Sequence, residues 1–164
     1  KEILKGNINK MDKFEVGKPT GICFHYFGAD YGNVEPSIDT IRKIHQQRGY
    51  SDIGYHLVIY KSGKVEKGRD LKYMGAHSQG IANHTSIGIL VIDDLKRNIN
   101  DAQKKTMIDV CFDLMKTSKY GNFPNIKSEN IKGHRDYLPT QCPGDEIYKY
   151  LTIVRQEVKK KTGR

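Results

Sequence analysis

The stretch Ser86-Ile87-Gly88-Ile89-Leu90-Val91-Ile92 decides the fold class. Residues 87–92 form the longest apolar run in the chain. A strand covered on both faces reads as such a run, because neither set of alternating side chains meets water. The stretch is therefore predicted as a central strand. Upstream, Tyr55-His56-Leu57-Val58-Ile59-Tyr60 predicts a second strand. Lys61-Ser62-Gly63-Lys64 predicts a hairpin turn with Gly63 at a position suited to positive φ, and residues 65–67 return antiparallel. Residues 71–83 hold several glycines and are expected to be irregular.

Farther upstream, residues 21–24 read as a short buried strand with His25 at its exit. A loop rich in Gly, Asp and Asn follows over 28–36. Ser37 is a suitable N-cap after Pro36, Ile38, Ile41 and Ile44 share one helical face, and Gly49 fits the stop. Downstream, Asn100 and Gln103 resemble a capping box, and Met107, Val110, Cys111, Leu114 and Met115 give the buried stripe of a helix over about 100–118. Residues 131–133 form a short strand that presents His134. A helix over about 145–160 carries Ile147, Leu151, Val154 and Val158 as its apolar stripe. The order predicts a mixed α/β fold, a central mixed β-sheet flanked by about three α-helices. One domain over 1–164 is expected, with its core at about 20–158.

The 164 residues are 37% hydrophobic and 29% charged, which excludes a disordered chain. The longest apolar run is far too short for a membrane span. The chain begins at Lys1 with no Met and no apolar signal segment, so it is expected to be a mature form or one domain cut from a longer protein. The net charge of +9 suits either a solvated basic surface or an anionic partner. No nucleic-acid motif accompanies it, so nucleic acid is not expected. Three cysteines argue against a disulfide scaffold. Cys111 and Cys23 read as core, whereas Cys142 sits in a turn beside Pro143, where a ligating thiol fits.

Two distant stretches read as halves of one metal site. The first is Cys23-Phe24-His25-Tyr26. The second is Gly133-His134-Arg135-Asp136, followed by Pro139-Thr140-Gln141-Cys142-Pro143. His25, His134 and Cys142 offer two imidazoles and a thiolate. Three protein ligands leave the fourth tetrahedral position for water, the pattern of a catalytic rather than a structural zinc. By spacing alone this reading stands only a little above chance, and a thiol enzyme pairing Cys142 with His134 is a second reading. Of the other histidines, His45 is expected to be structural or exposed and His56 to be hydrogen-bonded in the core. His84 is expected to brace the backbone before the central strand, and His77 to line a groove or lie exposed.

Five segments, in order and at fitting intervals, resemble the zinc N-acetylmuramoyl-L-alanine amidases, which include small phage amidases and peptidoglycan recognition proteins. They are Asp52-Ile53-Gly54-Tyr55-His56-Leu57-Val58-Ile59; Gly63-Lys64-Val65-Glu66-Lys67-Gly68-Arg69; Gly75-Ala76-His77-Ser78; Asn83-His84-Thr85-Ser86-Ile87-Gly88-Ile89; and residues 133–143. The resemblance covers about residues 20–155, and five ordered matches make it specific where one segment alone is weak. The resemblance implies one zinc ion per chain on His25, His134 and Cys142, at the floor of a groove. It implies Tyr55 as a hydrogen-bond donor to the reaction's oxyanion. Thr140 stands where the phage members carry a lysine; it is expected to hold water or the oxyanion. The strand over 87–92 lacks the glutamate that some relatives carry there. Arg69 and His77 are expected to meet substrate in the groove.

The implied activity is hydrolysis of the amide between N-acetylmuramic acid and L-alanine in peptidoglycan, by the catalytic domain of a phage endolysin or bacterial autolysin. The chain is then expected to act at the bacterial cell wall as a monomer, its charge favouring anionic wall polymers. A non-catalytic peptidoglycan-binding module is the alternative. The intact ligand triad argues against it.

Overall fold

The computed structural model describes residues 11–164. Ile3, Leu4 and Ile8, apolar residues that the sequence suggests could pack on the body, lie outside them. Among the described residues the strands are β1 (Gly21–Tyr26), β2 (Leu57–Ile59), β3 (Val65–Lys67), β4 (Ser86–Val91) and β5 (Ile131–Gly133). The helices are α1 (Ile38–Gln47), α2 (Ile81–Thr85), α3 (Asp101–Lys116) and α4 (Asp145–Thr162). The strands form one mixed sheet in the order β3-β2-β4-β1-β5. β4 is the middle strand, parallel to β1 and β2 and buried at every residue, as its sequence predicts. β5 adds in parallel to β1, while β2 and β3 form the antiparallel hairpin.

Alternation along these strands sorts side chains to two faces. Ile22, Phe24, Leu57, Ile59, Ile87, Ile89 and Val91 pack with the apolar stripes of α3 and α4. Val58, Leu90 and Ile92 pack on the other face with Ile41 of α1 and Ile53. Cys23 and His25 alternate with Ile22 and Phe24, so they fall on the α1 face. The site is thereby placed opposite the large helical layer, against thinner cover.

The expected caps are present. Ser37 Oγ accepts from Thr40 N, and Asn100 and Gln103 close a reciprocal capping box. Gly63 turns the hairpin at φ +87°, and Gly49 follows α1 at φ +98°. Two expectations change. Among the described residues a fourth, short helix, α2, joins the three expected and occupies part of the stretch that the glycines suggested was irregular. Its five residues give no periodic stripe, and only Ala82 is buried. The strand expected over 55–60 is confined to Leu57–Ile59. At its start the His56 ring, and not a carbonyl, accepts the Gly88 N–H at 2.9 Å, which ends the regular β2–β4 ladder there.

Candidate metal centre

β1 carries His25 on the α1 face of the sheet, nearly fully buried. β5 ends at Gly133, and His134 opens the following 3-10 turn. The chain then doubles back. Tyr137 N and Leu138 N both donate to the His134 carbonyl, and Arg135 N donates to the Cys142 carbonyl at 3.0 Å. Pro143 lies on the bare face of Gly133, where a Cβ would stand 2.8 Å from its ring. A side chain at 133 would therefore push away the segment that carries Cys142. Thr140 Oγ1 accepts from Cys142 N at 3.2 Å, fixing the turn from within.

These devices bring together donor atoms of His25, His134 and Cys142, all within 4.8 Å of one another. Cys142 Sγ is 3.5 Å from His25 Nδ1. His134 Nε2 is buried and has no hydrogen-bond partner. An orphaned ring nitrogen beside a second imidazole and a sulfur fits a borderline-soft cation such as zinc, and leaves a position open. Burial holds His25 well below its usual pKa, with His77 and His134 adding to the effect. Burial likewise lowers His134. Both rings are therefore neutral, as ligation requires. Burial pushes the Cys142 thiol up to about 12, so binding a metal there must expel its proton.

A second cluster, Cys23, His25 and His77, is also compact, but all three members are buried. Ser78 Oγ lies among them, 2.8 Å from His77 Nδ1, 3.2 Å from His25 Nε2 and 3.6 Å from Cys23 Sγ. Its polar atoms satisfy one another.

A groove of about 820 Å³ runs beside the triad, lined in part by Arg48, Tyr50, Tyr55, His84, His134 and Thr140. Tyr55 is partly exposed to it, edge-on to His25 with ring centroids 5.2 Å apart. Arg69 and His77 also line the groove, but their polar atoms turn inward. Arg69 donates to the carbonyls of Ile53, Met74 and Asp52. His77 faces His25, Ser78 and the Ser86 carbonyl. Both are almost wholly buried, and their nitrogens brace the groove's wall from within.

Among the remaining histidines, His56 bridges the Gly88 N–H and the Tyr73 carbonyl within the core, as expected. His45 is structural: its Nδ1 accepts from Gly54 N at 2.7 Å. His84 is exposed, and the bracing expected of it is done by Asn83, whose Oδ1 accepts from both His77 N and Ser78 N. An Asn beside a Gly-rich loop is the sequence signal that points to this role.

The chain matches the N-acetylmuramoyl-L-alanine amidase family over residues 15–145. It is 28% identical over 144 residues to the endolysin of Escherichia phage T7, covering 84% of this chain and 89% of that one. It is 32% identical over 106 residues to peptidoglycan recognition protein 1 of Bos taurus, covering 65% and 54%. The solved structure of the N-acetylmuramoyl-L-alanine amidase LysC from Clostridium intestinale superposes with a TM-score of 0.69 at 26% identity, over 95% of this chain and 91% of that one.

Proposed function

The chain belongs to the N-acetylmuramoyl-L-alanine amidase family, and from that premise we propose that it is a zinc-dependent peptidoglycan amidase of the endolysin or autolysin kind. It cleaves the amide that joins the lactyl group of N-acetylmuramic acid to L-alanine. The observation that carries the zinc reading is the buried, unpartnered His134 Nε2 beside His25 and Cys142. These three residues would hold the ion. A zinc ion bound there lowers the pKa of a water and polarises the scissile carbonyl.

The remaining chemistry falls to the chain itself. The groove orients the glycan and stem peptide, with Arg48, Tyr50 and His84 among the groups available on its walls. Tyr55 donates its phenol proton in a hydrogen bond to the oxyanion that develops at the scissile carbon. Burial raises its pKa, so the phenol keeps that proton at neutral pH. Preorganised donors of this kind are worth about 2.7–4 kcal/mol of barrier. Thr140 shapes the turn under Cys142 and offers a hydroxyl at the groove's edge. Its role is to hold a water or the oxyanion, since a hydroxyl is a poor general base.

The test is release of L-alanine amino groups from purified peptidoglycan, before chelation, after it, and after zinc is restored. Release that vanishes and returns supports the reading. Release that persists in chelator removes the metal. Tight binding to walls without release favours a binding module instead.

A further inference from the structure

His77 lies in a slot made of missing side chains. A Cβ on Gly88 would stand 2.4 Å from its Cδ2 and 2.5 Å from its Cγ, and a Cβ on Gly75 would also stand 2.4 Å from Cδ2. Neither glycine has positive φ, so space and not backbone conformation demands them. Gly88 pairs with Cys23 in the β4–β1 register, so the slot opens on the sheet face that carries His25. Asn83 Oδ1 accepts from the His77 and Ser78 backbone N–H groups at 2.9 Å each and holds the segment in place.

The hydrogen bonds in this slot have one workable direction. His77 Nε2 faces the Ser86 carbonyl at 3.3 Å. A carbonyl only accepts, so Nε2 carries the proton and Nδ1 is bare. The bare Nδ1 lies 2.9 Å from His25 Nε2 and 2.8 Å from Ser78 Oγ. His25 Nε2 therefore donates, either directly or through the Ser78 hydroxyl, and His25 Nδ1 is left unprotonated toward Cys142.

We propose that His77 is a positioning residue of the metal centre: its ring, seated against Gly75 and Gly88 with Nε2 aimed at the Ser86 carbonyl, turns Nδ1 to His25 and holds it in the tautomer whose Nδ1 meets the metal. The inference rests on the metal reading of His25, His134 and Cys142. Outer partners of ligating imidazoles act in this way, and their loss typically weakens metal binding by about 10–100-fold.

The test compares His77→Leu with His77→Asn. Asn places a carbonyl oxygen near the former Nδ1, and Leu has similar volume without an acceptor. Zinc affinity is read by competition with a chromophoric chelator, and the fold by thermal unfolding of the metal-free proteins. His77→Leu should bind zinc about 10–100-fold more weakly. His77→Asn should recover most of that loss, while the two metal-free proteins melt alike. Equal weakening in both, or none in either, overturns the proposal. Long-range proton–nitrogen correlation on the unmodified protein reads the His77 tautomer without any variant, should His77→Leu fail to fold. A proton on Nδ1 overturns the proposal there as well. An unmodified protein that binds no zinc sinks the metal reading itself and this proposal with it, a result distinct from normal zinc binding that ignores position 77.

Discussion

At Tyr55 the ring stands against both His25 and His45, with centroids 5.2 and 5.3 Å away, so its position is set by packing before any substrate arrives. Tyr55→Phe keeps that packing and removes only the hydroxyl. It should bind zinc normally and lose about 100–1000-fold in kcat on peptidoglycan; near-normal turnover would reduce Tyr55 to a packing residue. Cys142→Ser should fold, because the turn is held through the Cys142 carbonyl and N–H and not through Sγ, yet fail to retain zinc through dialysis. Stoichiometric zinc with full activity in that variant would remove Cys142 from the ligand set. A third residue-scale prediction concerns acid. Burial lowers His45 and His56 to about 4 in the folded protein, against about 6.5 for an unfolded chain. Between those values the unfolded state binds more protons, so stability rises with pH. This contribution is complete above about pH 6.5 and is lost as pH falls toward 4, each group adding a slope of up to about 1.4 kcal/mol per pH unit. Urea unfolding at pH 7, 6, 5 and 4 should show the decline, and His56→Asn should flatten it.

Elements place these residues, and much of their placement was legible in the sequence. The caps at Ser37 and Asn100, the Gly63 turn and the stripe of α3 are local signals that depend on neighbours within one or two helical turns. Asn100→Ala removes the acceptor for Gln103 N and also the Nδ2 donor to the Lys61 carbonyl. It should cost about 1 kcal/mol in urea unfolding while leaving zinc content unchanged; no change would mean the box adds nothing beyond water. The short helix α2 and the early end of β2 were not legible. Five residues are too few for a period to emerge, and the ladder stops because a histidine ring from 32 positions away takes the Gly88 N–H. The His77 slot is hidden as well, since nothing local says that Gly75 and Gly88 lie against one ring.

For the molecule as a whole, metal and charge are the two levers. If zinc binds only the folded state, free zinc at 1,000 times its Kd should add about 4 kcal/mol of stability. Thermal scans with zinc, chelator and zinc restored should track that gain; an unchanged midpoint would separate the ion from the fold. A net charge of +9 would favour binding to an anionic wall, and screening shrinks its reach to about 3 Å at 1 M salt. Wall sedimentation should therefore fall with salt while cleavage of a small soluble muropeptide holds. Among the described residues no helix is long and apolar enough to cross a membrane.

The sequence by itself determined the sheet, its central strand, the three long helices and the membership of His25, His134 and Cys142 in one constellation. Periodicity, caps and ordered motifs are written in neighbouring residues, and a motif carries its ligand types with it. Only the tertiary structure decided where polar atoms point. Arg69 and His77 line the groove in which they are expected to meet substrate. Burial turned their nitrogens toward carbonyls and toward His25, since a buried donor without a partner is costly. That choice depends on which backbone passes behind each side chain, and the passing strands come from distant parts of the chain.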